Sequence, residues 1–136
     1  MTVSSTTDLE ILARLRMRLA ELTELANPTI IAADDHGLIT YIDAPLARAL
    51  GWSAEELVGR SLTTIIPRRF RDAHHIGFSR FLTTGEPRLL ERTIALSVST
   101  RGGEEMRVQH VITAVRVGPR WVFAASIRPE VAGARG

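Results

Sequence analysis

The chain of 136 residues contains no cysteine. That removes disulfides, thiolate metal sites, cysteine nucleophiles and any photosensor that bonds its flavin to a thiol. Lysine is also missing, so all 17 basic residues are arginine. With a net charge of only +2 and one tyrosine, little titrates before arginine does. The isoelectric point of about 10.3 follows from that and not from a basic surface. Apart from Arg68, Arg69 and Arg71 the arginines are scattered, whereas a nucleic-acid reader gathers them on one face. No nucleic-acid partner is expected. No apolar run reaches the roughly 20 residues that span a bilayer. The polar start, Met1 to Thr7, lacks the basic flank and apolar stretch of a secretion signal. These absences predict a cytoplasmic chain with no membrane partner.

What is present is an ordinary globular composition, 45% hydrophobic and 24% charged, of a length that suits one domain with one core. Residues 1–7 read as a disordered start. A helix is predicted over 8–26, with Thr7 and Glu10 as a capping box and Asn27-Pro28 as its stop. Leu12, Leu15, Leu19 and Leu22 follow the spacing of a coiled-coil seam. A stripe of this kind packs either on its own domain or on a second copy, and the seam is read as a homodimer interface. Strands are predicted over 29–33 and 38–42 around the turn Asp34-Asp35-His36-Gly37. Short helices follow over 44–51 and from a second capping box at Ser53, with an apolar stretch at 61–66. A longer helix is predicted over 68–83, then strands over 88–99, 105–117 and 120–128. The domain proper is thus 27–128, and 129–136 reads as a flexible tail. Strands bracketing a helical middle indicate an α+β fold with an antiparallel sheet and helices on one face.

That order, and the residues in it, resemble the PAS family. The carrying stretches are Ile31 to Asp43, Leu50-Gly51-Trp52-Ser53-Ala54-Glu55-Glu56-Leu57-Val58-Gly59-Arg60, Ile66-Pro67, and Phe81-Leu82-Thr83-Thr84-Gly85-Glu86. The resemblance implies a five-stranded antiparallel sheet, a ligand or cofactor pocket under the helices, and signalling through dimer or partner contacts. It names no ligand, because one fold hosts many. It also leaves open a cofactor-free interaction module. One departure concerns the exit: Ile127-Arg128 runs into Pro129-Glu130-Val131, where relatives coupled to an output carry an Asp-Ile-Thr-like motif.

On the long helix Phe70, His74, Phe78 and Phe81 share one face. On the strand 105–117 the alternation places Met106, Val108, His110, Ile112 and Ala114 together. His74 and His110 are therefore expected to face one pocket, from the helix and from the sheet. Arg71-Asp72-Ala73-His74 and Arg80-Phe81-Leu82-Thr83-Thr84-Gly85 are also similar to the haem-binding PAS domains of rhizobial oxygen-sensor kinases. That similarity implies His74 as a haem-iron ligand and Arg80 and Arg88 as propionate contacts. Ile94 stands where those proteins carry their ligand-sensing arginine, and His110 where they carry an apolar residue. Three alternatives stay open: haem, another small or lipid-like ligand, and no ligand, with the histidines as core residues. Phe78, Ile94 and Ile112 complete the expected pocket lining.

Enzyme readings are weaker. Gly51-Trp52-Ser53-Ala54-Glu55 lacks the closing glycine of a nucleophile elbow. Adjacent acids such as Asp34-Asp35 point to opposite faces of a strand. His74-His75 lacks the i, i+4 spacing of a helical metal pair. No catalysis is expected. Val111, Val115, Val117 and Val122 form an apolar outer sheet face that would suit a partner protein.

Overall fold

The computed structural model describes residues 6–85 and 90–130. Residues 1–5, Arg88 and 131–136, and with them most of the expected disordered start and flexible tail, lie outside the described residues. Thr6 and Thr7 already belong to the first helix, and Pro129 closes the last strand.

Among the described residues, eleven elements build one sheet with helices on both sides. Helix α1 spans Thr6–Thr23, followed by strands β1 (Ile30–Asp34) and β2 (Ile39–Ile42). Helices α2 (Ala44–Ala49) and α3 (Ala54–Leu57) lead through two 3-10 turns at Leu62–Ile65 and Arg68–Phe70 into α4 (Arg71–Thr84). Strands β3 (Ile94–Ser99), β4 (Glu105–Val117) and β5 (Arg120–Pro129) complete the chain. The sheet has five strands in the order β2-β1-β5-β4-β3, and every pairing is antiparallel. The α+β class, the five-stranded antiparallel sheet and the element order match the sequence-based expectation.

Local chemistry accounts for the turns. Asp34 accepts from the backbone N–H of His36 at 2.9 Å and of Leu38 at 3.0 Å, an Asx turn that lets Gly37 take φ 78°. Ser53 and Glu56 form the predicted capping box. At Gly51, with φ 88°, an added Cβ would meet the Cβ of Arg101 at 3.2 Å, so the β3–β4 turn approaches closely only because no side chain is there. Trp52 beside it lies between Arg60 and Arg101, with guanidinium carbons 4.7 and 4.5 Å from its ring. Arg101 in turn pairs with Glu56 at 2.9 Å.

Three elements depart most from their expected bounds, the long helix expected from 68 starting at Arg71 after the 3-10 turn Arg68–Phe70. α1 ends at Thr23 and not at residue 26, because Glu24 takes the left-handed backbone (φ 60°) that stops a helix. β3 starts at Ile94, six residues later than the apolar pattern of 88–99 suggests. Residues 90–92 are spent on a turn in which the Glu91 N–H donates to the Ile112 carbonyl at 2.7 Å.

The alternation along the strands feeds two cores. On the inner face Ile31, Ile39, Ile42, Val98, Val108 and Ile127 pack under α2 and α3 through Leu46, Leu50 and Leu57. On the outer face Ile30, Ala32, Val111 and Ala124 pack against Leu15 and Leu19 of α1. Leu15 and Leu19 are 3% and 0% exposed, and Leu12 and Leu22 are half-buried against the same cluster. The leucines expected on a seam between two copies thus pack on their own sheet. Val111, Val115 and Val122, expected to meet a partner, meet α1. The physical reason is simple: the outer sheet face is apolar, and the amphipathic helix next to it in sequence covers it.

Candidate functional site

Of the two expected histidines, His74 stands on α4 and His110 on the inner face of the sheet, in β4. α4 packs loosely. Phe81 is its one buried residue, while Ile76 and Leu82 are exposed. Phe81 meets Trp121 and Phe123 at ring distances of 4.9 and 5.3 Å. Phe78 meets Phe123 at 5.2 Å and stacks on His74 at 5.8 Å. Phe78 also lies beside Gly37 in the β1–β2 turn, and His74 stands one turn earlier on α4. Phe70, expected with them, instead sits in the 3-10 turn before α4, exposed and stacked by Arg69 at 4.5 Å.

His110 pairs across the sheet with Ile94 on β3 and Ile127 on β5. Ile94, His110 and Ile112 are half-buried. The Nδ1 atoms of His74 and His110 are buried and have no hydrogen-bond partner. Burial lowers the pKa of both, and for His74 the neighbouring His75 lowers it further. Both imidazoles are therefore held toward the neutral form, the one that accepts a hydrogen bond or ligates a metal. A buried polar atom without a partner costs stability, and a ligand supplying that partner would recover it.

The other expected contacts are placed less favourably. Arg80 lies exposed on the outward side of α4 with His75, Ser79 and Thr83. A half-open groove of about 460 Å³ runs between α1 and the β1, β2 and β5 ends, lined by Leu12, Leu15, Tyr41, Trp121 and Val122 among others. Its lining joins outer residues such as Leu12, Leu15 and Val122 to Ile39 and Trp121 of the inner side, and it includes neither histidine.

A second polar cluster went unseen in the sequence. Arg16 of α1 donates to both carboxylate oxygens of Asp43 at 2.9 Å. The Tyr41 hydroxyl donates to the same carboxylate, as does the Ile30 N–H at 2.8 Å. Burial pushes the Asp43 carboxyl up, but its bonds to Arg16, Tyr41 and Ile30 together hold it below the usual carboxylate range. Arg18 pairs with Glu91 at 2.7 Å. The only sequence signal was the pair of arginines flanking the leucine stripe.

Comparison with known proteins agrees with the architecture. Residues 17–118 match the model of a family described as PAS fold. An uncharacterised protein of Azorhizobium caulinodans is 31% identical over 100 residues, covering 73% of this chain and 14% of that protein. Sensor protein FixL of Bradyrhizobium diazoefficiens is 25% identical over 99 residues, covering 73% of this chain and 20% of that protein. The chain thus spans at most about a fifth of the length of these two relatives. Among solved structures, the PAS domain of an HTR-like protein from Haloarcula marismortui superposes with a TM-score of 0.58 at 19% identity, covering 93% of this chain and all of that one. Among the described residues no helix is long and apolar enough to cross a membrane.

Proposed function

The chain belongs to the PAS-fold family, and from that premise we propose that it is a sensory module that takes a small ligand or cofactor between α4 and the inner face of the sheet. The observation that carries this is the pair of half-buried imidazoles, His74 and His110, whose buried Nδ1 atoms lack partners. They stand on the two elements that would wall the pocket, and α4 packs on the sheet through few side chains. Neutral imidazoles fit haem iron as they fit a hydrogen-bonding organic ligand. His74 is the proposed iron ligand, with His110, Phe78, Ile94 and Ile112 lining the site, and haem would supply gas or redox sensing there. Arg80 would have to turn inward to meet a propionate. With no thiol in the chain, a flavin here forms no cysteine adduct.

Spectroscopy and mass spectrometry separate the cases. The purified chain is mixed with hemin, its absorption recorded, and an untreated sample extracted for bound small molecules. A shifted Soret band that disappears in His74→Ala assigns haem. A co-purifying organic molecule lost in His110→Leu assigns a different ligand at the same site. A colourless protein with nothing extracted and no change in melting temperature on hemin addition would defeat the ligand reading.

A cofactor-free interaction role has its own supporting observation. Leu9 and Met17 on the outward side of α1 are 54% and 68% exposed. Any homodimer contact through α1 is proposed for that outward side, since Leu12, Leu15, Leu19 and Leu22 serve the chain's own core.

A further inference from the structure

α1 lies along the outer face of the sheet and is fastened on both flanks. With about 100° between successive helical residues, Arg16 and Arg18 stand on either side of the Leu15–Leu19 stripe. Met17 points directly away, as its exposure requires. Arg16 fastens one flank to Asp43, just beyond the edge strand β2. Arg18 fastens the other flank to Glu91, its Nε and Nη2 lying 3.1 and 2.7 Å from the two carboxylate oxygens.

Glu91 sits in the connection between α4 and β3, and its φ of 63° is uncommon for a residue other than glycine. Three partners hold it there. Its N–H donates to Ile112 at 2.7 Å. Its Oε2 accepts from the Thr113 hydroxyl at 2.8 Å and also from Arg18. Thr113 is 2% exposed, so this oxygen is tied to the buried outer core. The two fastenings differ in depth. Side-chain exposure is 29% and 15% at Arg16 and Asp43 but 47% and 38% at Arg18 and Glu91.

We propose that Glu91 couples the α4–β3 connection to α1, as the releasable side of a strap whose fixed side is Arg16–Asp43. A backbone held in a sparsely populated conformation has an alternative within a few kcal/mol. Leaving the left-handed region swings the Glu91 carboxylate off Thr113 and Arg18 together. α1 then loosens along that flank while Arg16 keeps the other in place. The coupling requires no ligand and stands apart from the histidine reading.

Amide hydrogen exchange on the full chain tests it, with rates in α1 and in residues 90–93 read relative to β1 so that any global loss of stability cancels. Glu91→Gln is expected to speed exchange in α1 roughly two- to five-fold, the range of an exposed ion pair. Reciprocally, Arg18→Met is expected to speed residues 90–93 by a similar factor. Glu21→Gln, which removes the other partner of Arg18 at 3.2 Å, leaves residues 90–93 unchanged. The double variant exchanges no faster than either single one. An Arg18→Met protein that loosens α1 alone, or a double variant whose two effects multiply, overturns the coupling.

Discussion

At the scale of single residues, the two histidines make the folded domain sensitive to mild acid. Each has a pKa lowered from its ordinary 6.5, chiefly by burial. Between that lowered value and 6.5 the unfolded chain binds more protons than the folded one, so stability rises with pH across that window. It is complete above about pH 6.5 and declines as pH falls below it. Melting temperature recorded from about pH 7.5 down to 5.5 is expected to fall, and the fall to shrink in His110→Leu and His74→Leu. An unchanged slope in both variants would assign the acid sensitivity elsewhere. Asp43 acts in a separate, lower window: its lowered pKa contributes stability that is present above the ordinary carboxylate range and is lost as pH falls through the lowered value.

The residues also differ in how visible they were beforehand. His74 and His110 were legible because each breaks an apolar period, one of helical spacing and one of alternation. Arg16, Asp43 and Glu91 were not. Their partners lie 27 and 73 positions apart in sequence, and neither periodicity nor motif links residues across such gaps. Arg80 was placed by resemblance alone, and the helix turns it outward.

At the scale of elements, α1 decides the outer core. Its leucine spacing fitted two packings, on a second copy or on its own sheet, and a heptad pattern alone does not choose between them. The choice is visible only with the sheet assembled, when Ile30, Ala32, Val111 and Ala124 offer a complete apolar face beside the helix. Leu19 is fully buried at its centre. Leu19→Ala is expected to cost about 2–5 kcal/mol in urea unfolding of the isolated chain, as large-to-small changes in a packed core do. A loss of a few tenths of a kcal/mol, or one that depends on protein concentration, would mean that this leucine is buried between copies instead.

At the scale of the whole molecule, the sheet separates two differently covered surfaces. The inner face carries His110 and lies under α4, which carries His74 and packs through few residues, and the outer face is covered by α1. A contact with a second copy through α1 would then use the side that faces away from the sheet. Leu9 and Met17 lie there, a little over two turns apart on the exposed side. In sedimentation the chain is expected to form a dimer that Met17→Glu converts to monomer without lowering the melting temperature, because Met17 contributes nothing to the core. The contrast with Leu19 is the point of the test, since a charge at that site would unfold the outer core before it could report on assembly. A wild-type chain that sediments as a monomer at all concentrations, or a dimer that survives Met17→Glu, would remove α1 from the interface and leave the outward side of α4, with Ile76 exposed, as the next surface to change.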